Sequence, residues 1–212
     1  MMMTPSNTVR IFLALWPTAA ERCALADWQV KLKDLGRVMR PETLHATLLF
    51  IGEVEVDRLE ALKLAVEEVS ATRFELCLDE ARYWQHNHII YAAPRFVPPA
   101  LQQLVGKLEH HLIMHRFRFA GSHPNLPPEG EGTIVPSHFG QKSDFDKRQI
   151  ERGAMHSFRE YKPHVTLLRN ACWGEEPLPA MPSVRWYIKD FVLVQSLGGG
   201  VGYRELARFP LC

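Results

Sequence analysis

The chain carries the pattern His-x-Thr-Leu-Leu twice, at His45 in "LHATLLF" and at His164 in "PHVTLLR", 119 positions apart. Its composition would supply about 0.005 copies by chance. Side chains alternate faces along a strand. His45 and Thr47 therefore point one way and Ala46 and Leu48 the other, and the same holds for His164 and Thr166 against Val165 and Leu167. Each motif is a polar face on an apolar back, and two such strands side by side converge two imidazoles and two hydroxyls on one pocket. An imidazole titrates near pKa ~6.5, so one ring can be neutral and the other protonated. That is the requirement for paired general acid and general base catalysis. Threonine hydroxyls can donate hydrogen bonds to phosphate oxygens, and the design needs no metal. A lone strand histidine is more often a structural residue than a catalyst; two in matching five-residue contexts reverse that weighting.

Other chemistry-bearing residues are weaker candidates. His86-x-His88 has a spacing that two metal ligands could use but no obvious carboxylate or cysteine partner, and surface histidines are the simpler reading. His110-His111-x-x-x-His115 falls on an expected helix, where 111 and 115 share a face, without the glutamate of a zincin motif. "SLGGGVGY" joins two strands and is a hairpin turn before it is a phosphate cradle, since no helix follows. Ser137-His138 lacks a nucleophile-elbow context.

The elements that must position the two motifs can be read along the chain. "TVRIFLALWP" is a buried strand closed by Pro17. Residues 18–35 have helical spacing, with Thr18 and Glu21 as a capping box and Gly36 at a C-cap position. The first motif lies on a strand after a turn at Pro41-Glu42, with Gly52 as its end. Residues 57–71 form an amphipathic helix with Leu59, Leu62, Leu64, Ala65, Val66 and Val69 as its apolar positions. "FELCLDEARYW" alternates like one half-buried strand, "HIIYAAP" is its hairpin partner, and Pro98-Pro99 opens a further helix. From about 117 to 157 the chain is Pro/Gly-rich and then charged, without apolar period, and reads as a long loop or insertion. "SVRWYIKDFVLVQS" and "GYRELARFPL" form a last pair of strands. Strands and helices interleave in two halves, each with one motif, which predicts two similar α/β lobes with a cleft between them, in one domain spanning 1–212.

Bulk composition narrows the function. The 212 residues are 46% hydrophobic and 23% charged, with a net charge of +1. This is ordinary for a soluble protein and argues against a large phosphate-gripping footprint, though not against a small basic site. Cys23, Cys77, Cys172 and Cys212 form no C-x-x-C motif and fit a reducing compartment. The apolar run "IFLALW" is too short for a signal-peptide core or a membrane span, so the expected location is the cytoplasm.

The paired motifs resemble those of the 2H phosphoesterase superfamily, and within it the bacterial RNA 2′,3′-cyclic phosphodiesterases, historically called 2′-5′ RNA ligases. The likeness extends over "VRIFLALWP", "RPETLHATLLFIGEV", "HIIYAAP", "YKPHVTLLR" and "VLVQS…GYRELARFPL", with the segment near 117–157 as the departure. It implies an α+β bilobal fold with antiparallel sheets, the motifs facing across a cleft. It also implies that water opens a 2′,3′-cyclic phosphate at P–O3′ to leave a 2′-phosphate, without a cofactor or metal. His45 would then be the general acid, His164 the general base, and Thr47 and Thr166 the holders of the non-bridging oxygens. Arg169, five after His164, matches a family arginine near the phosphate, and a guanidinium is suited to charge on phosphoryl oxygens. Phe50, five after His45, is either an aromatic that stacks on a base or plain core. The implied partners are RNA with 2′,3′-cyclic phosphate ends, tRNA fragments among them, or small cyclic nucleotides, met by a monomer away from any membrane. A reversible 2′-5′ ligase and a non-catalytic RNA-end binding module are the alternatives.

Overall fold

The computed structural model describes residues 7–119, 161–174, 176–198 and 201–212. Among the described residues, ten strands and three α-helices alternate. The order begins with β1 (Thr8–Leu15), α1 (Ala19–Leu32), β2 (Arg37–Val38), β3 (Ala46–Glu55) and α2 (Leu59–Glu67). Then follow β4 (Phe74–Leu78), β5 (Glu80–Trp84), β6 (Ile89–Ala93), α3 (Pro99–Met114), β7 (Val165–Arg169), β8 (Val184–Ile188), β9 (Asp190–Ser196) and β10 (Tyr203–Pro210).

Eight strands form one antiparallel sheet in the order β10-β9-β1-β3-β7-β6-β5, with β2 also on β7, and β4 pairs β8 separately. The sheet is two four-stranded halves joined at a single register pair, Ala46 of β3 against Val165 of β7. These are the middle residues of the two His-x-Thr triplets, so a local twofold passes between the motifs. This is the bilobal antiparallel α+β fold anticipated from the sequence. Its seam is narrower than two separate lobes would suggest.

The helices cover one face. Leu25, Trp28 and Leu32 of α1, Leu62, Ala65 and Val66 of α2, and Leu101, Leu104, Leu108 and Leu112 of α3 join one core with Ala46, Leu48, Leu49, Val165, Leu167 and Leu168. On the other face Phe12, Ala14, Val192 and Val194 form a small separate cluster against Trp16, Phe50 and Tyr203. The Thr18–Glu21 capping box is present, with the Glu21 carboxylate accepting the Thr18 amide at 2.9 Å.

Several local expectations change. "FELCLDEARYW" is two strands in different sheets, broken at Asp79, whose carboxylate accepts the Arg95 amide at 2.7 Å. "SVRWYIKDFVLVQS" breaks the same way at Lys189, into β8 and β9. At both breaks the inward apolar positions change phase, from Phe74, Leu76 and Leu78 to Ala81 and Tyr83 and from Val184, Trp186 and Ile188 to Phe191 and Leu193, a shift that a bulge would also give. Gly52 does not end its strand: β3 continues to Glu55, and Gly52, at φ 93°, takes part in a register shift. Leu64 is 62% exposed rather than inward. Gly36 has extended backbone, φ 174°, and is not a left-handed cap. It is needed for close approach, because a Cβ there would lie 2.8 Å from the Ala171 Cα and 2.9 Å from the Arg169 carbonyl oxygen. The 117–157 insertion lies for the most part outside the described residues.

Candidate active site

The double leucine in each motif has a structural cause. In β3, Leu13 pairs Leu49 and Ala14 pairs Thr47, so Leu48 is an extra residue. In β7, Ile90 pairs Leu168 and Tyr91 pairs Thr166, so Leu167 is the extra residue. A bulge of this kind puts two residues against one and resets the alternation of faces. Both leucines in each pair are then fully buried, at 0% exposure for Leu48, Leu49, Leu167 and Leu168. The residue at +5, Phe50 or Arg169, returns to the face of the histidine, although an odd spacing in a regular strand would place it on the back. Residues 44–50 and 163–169 have the same succession of buried and half-buried positions.

At the seam, the antiparallel pair Ala46–Val165 sets His45 across from Thr166 and Thr47 across from His164 when the register is continued one residue each way. Directly opposite residues have Cβ atoms about 4.5–5.5 Å apart, so the four polar side chains predicted to converge stand on one surface. Each imidazole is oriented identically. His45 Nδ1–H donates to the Thr43 carbonyl at 2.7 Å, and His164 Nδ1–H donates to the Lys162 carbonyl at 3.0 Å. A carbonyl only accepts, so in each neutral ring Nδ1 carries the proton and Nε2 keeps the free lone pair. The 3₁₀ turn Pro41–Thr43 fixes the first of these carbonyls, with Thr43 Oγ1 donating to the Arg40 carbonyl at 2.7 Å.

Aromatic rings surround both histidines. Trp16 stacks on His45 with centroids 5.3 Å apart, and Phe12 and Tyr203 lie at 5.0 Å. Trp84 meets His164 edge-on at 4.7 Å and Tyr91 at 5.7 Å. This desolvation, chiefly, lowers the His45 pKa to about 4, against an opposing pull from the Thr43 carbonyl; the charges of His164 and Arg169 lower it further. His164 is lowered for the same leading reason, again with the Arg169 charge contributing. Burial thus favours the neutral form of both rings in the free protein, where the sequence alone allows one ring to be neutral and the other protonated. Arg169 is half-buried and makes no ion pair among the described residues. Phe50 is half-buried against the Phe12–Val194 cluster, with the Arg10 guanidinium 4.8 Å above its ring.

Sequence reasoning missed the supports of this surface. Tyr161, 5% exposed, donates its hydroxyl to the Thr47 carbonyl at 2.7 Å and so ties the approach to the second motif to the strand of the first. Burial pushes its phenol far above the ordinary range. The buried Gln29 amide donates to the carbonyls of Met39 and Leu167 at 2.8 and 2.9 Å, pinning the β7 bulge to the β2 edge. Tyr161 stands three residues before His164, as a polar aromatic in a charged stretch, which was the available signal. Gln29 carried none, being one polar residue on a helix. His86 and His88 are exposed, as expected of surface histidines.

Comparison with known proteins shows likenesses to phosphoesterases. Residues 15–91 match the family model described as LigT like Phosphoesterase. The described fold is that of solved LigT structures: Escherichia coli LigT in its apo form aligns with TM-score 0.68 at 25% identity, covering 97% of this chain and 99% of that one. The same protein complexed with 3′-AMP aligns with TM-score 0.68 at 24% identity over the same shares. Among curated proteins, the chain is 25% identical to the RNA 2′,3′-cyclic phosphodiesterase of Escherichia coli strain K12 over 97% of its own length and 98% of the relative's. The resemblance to 2H phosphoesterases is thus carried by sequence and fold together, and the likenesses support a phosphoesterase. No helix among the described residues is long and apolar enough to cross a membrane.

Proposed function

We propose that this protein hydrolyses RNA 2′,3′-cyclic phosphate ends to 2′-phosphomonoesters, by acid-base catalysis at the two histidines. The observation that carries the reading is the Ala46–Val165 seam, which sets two identically held imidazoles and two threonines around one local axis. The relative's name and the 3′-AMP bound by the structural neighbour support an RNA or nucleotide substrate.

In this mechanism His164 Nε2 takes a proton from water as the oxygen attacks phosphorus. His45, protonated on both nitrogens, gives its Nε2 proton to O3′ as the P–O3′ bond breaks. Its Nδ1–H bond to Thr43 stabilises the imidazolium form. The low His45 pKa of the free protein is offset on binding, because an anionic phosphate beside the ring favours its charged form. Thr47 and Thr166 donate to the non-bridging oxygens, and Arg169 neutralises charge developing on them. Phe50 flanks the base. The whole chain, 1–212, acts as one bilobal domain, a cytoplasmic monomer that uses no cofactor.

The test is turnover of 2′,3′-cyclic nucleotides and oligonucleotides in EDTA, with product regiochemistry read out. Expected are 2′-phosphate products and a loss of roughly 10²–10⁴ in kcat for each of His45→Ala and His164→Ala. A 3′-phosphate product, or either variant at the wild-type rate, would overturn the assignment. Net formation of 2′-5′ linkages from RNA halves would favour the ligase direction of the same site.

A further inference from the structure

A second cluster of chemically competent side chains lies on the helical face of the sheet, away from the histidine pair. Its members are Glu68, which follows α2, and His111 and His115 of α3 and its C-terminal cap. His115 Nε2 is 3.0 Å from Glu68 Oε2, and His111 Nδ1 is 3.6 Å from the same oxygen. One ligand atom from each residue lies within 4.8 Å of the others. His111 and His115 share a helix face at i and i+4, and packing of α2 on α3 brings in a carboxylate that the sequence offered only 43 positions before His111.

We propose that Glu68, His111 and His115 bind one late first-row divalent cation, Zn²⁺ foremost. Two imidazole nitrogens and one carboxylate oxygen form a borderline donor set suited to zinc, with a fourth position left for water. Bonds of about 2.0–2.1 Å in a tetrahedron give ligand-to-ligand edges of about 3.3–3.4 Å. Two of the three separations, 3.0 and 3.6 Å, bracket that edge and the third lies within 4.8 Å, so a cation fits once the two imidazoles turn toward it. The end of α3 is held firmly. The Phe117 amide bonds the Leu112 carbonyl at 2.8 Å, the Arg116 amide bonds Ile113 at 2.9 Å, and the Arg58 guanidinium lies 4.3 Å over the Phe117 ring. With Glu68 56% and His115 38% exposed at the side chain, a hydrated cation can enter. The site would clip the C-terminal ends of α2 and α3 together. It plays no part in the proposed hydrolysis, whose groups open on the other face.

The test uses the full chain, stripped with EDTA and returned to chelator-free buffer. Co²⁺ should give the visible absorption of a tetrahedral site at one equivalent, and Zn²⁺ should displace it. At about a hundredfold excess over Kd, Zn²⁺ should raise Tm by roughly 5 °C or more. Glu68→Gln should weaken binding at least tenfold, and His111→Ala/His115→Ala should abolish the cobalt spectrum and the Tm shift. Far-UV circular dichroism of the metal-free variants checks their fold, and Glu68→Gln, at an exposed position, is the mildest probe. Wild type without spectrum and Tm shift, or either variant that keeps both, would overturn the proposal. Turnover of a cyclic nucleotide should be equal with and without Zn²⁺, and a metal-dependent rate would overturn the separation of the two sites.

Discussion

The two four-stranded halves of the sheet share a frame and differ in lining. Each presents a histidine held through Nδ1 by the carbonyl two residues back, a threonine on the same face, and a bulged leucine behind. The neighbouring strands then diverge. Opposite Thr47 stands Ala14, itself paired with Val192, and the surface continues apolar through Phe12, Val194, Trp16 and Phe50. Opposite Thr166 stands Tyr91, paired with Arg82, and the surface continues through Trp84 to Arg169. In the proposed mechanism the symmetry supplies two proton carriers and the differences assign sides, the half with Phe50 to the base and the half with Arg169 to the phosphate. The +5 position states the contrast in one residue, Phe50 on one side and Arg169 on the other.

The largest expected effect tests the symmetric part. If the two histidines act as one unit, their losses do not add. His45→Ala and His164→Ala each lower kcat by roughly 10²–10⁴, and the double variant falls no more than about tenfold below the weaker single. Additive losses, measured on one cyclic nucleotide, would mean that each ring works alone and that the local twofold is structural only.

Next in size is the asymmetric part. Arg169→Leu should lower kcat by about 10²-fold, since it removes charge stabilisation at the phosphate. Phe50→Leu should leave kcat within a few-fold and act on KM, because stacking on a base is largely the same in the ground and transition states. Steady-state kinetics of both variants on the same substrate would reverse this order if the two halves had been assigned the wrong way round.

How much of this was readable beforehand follows the reach of each interaction. The histidines and threonines were visible because strand alternation is local and the pattern repeats. The two bulges were not, since a bulge is defined by its partner strand, and "LL" alone reads as ordinary core. Gly36 shows the same limit. Its position after a helix suggested a cap, whereas its reason is the backbone of Arg169–Ala171, more than a hundred residues away in sequence. The sheet switches at Asp79 and Lys189 do shift the apolar phase, from Leu78 to Ala81 and from Ile188 to Phe191, but a bulge gives the same shift, so the pattern does not say that the partner strand changes sheet. The direction of the imidazole shifts was not readable either, because Trp16, Tyr203, Trp84 and Tyr91 reach the rings only through the fold.

The neutral rings carry a pH dependence of stability. The His45 pKa falls from 6.5 to about 4 on folding, so between those values the unfolded chain binds more protons than the folded one. Stability then rises with pH across that window: the full contribution is present above pH 6.5 and is lost as pH falls toward 4. Discounted for partial exposure, the loss is on the order of 2 kcal/mol. Urea unfolding of wild type and His45→Asn between pH 4 and 7 checks it, and the variant's curve should be flatter. His164 is shifted in the same direction, so His164→Asn should also flatten the curve. A flat wild-type curve would mean that water reaches both cages freely.

The smallest effect concerns the bond that couples the halves. Tyr161 leads into the second motif, yet its hydroxyl serves the carbonyl of Thr47 in the first. Tyr161→Phe keeps the buried ring and removes that donor, which should cost about 1 kcal/mol in unfolding free energy. If Tyr161 positions Thr47 relative to His164, kcat should also fall a few-fold with KM nearly unchanged, because the fault lies in alignment at the reacting phosphate. A stability loss with unaltered kcat would make the hydroxyl a packing device. A kcat loss would show that each motif is held in place partly by the other.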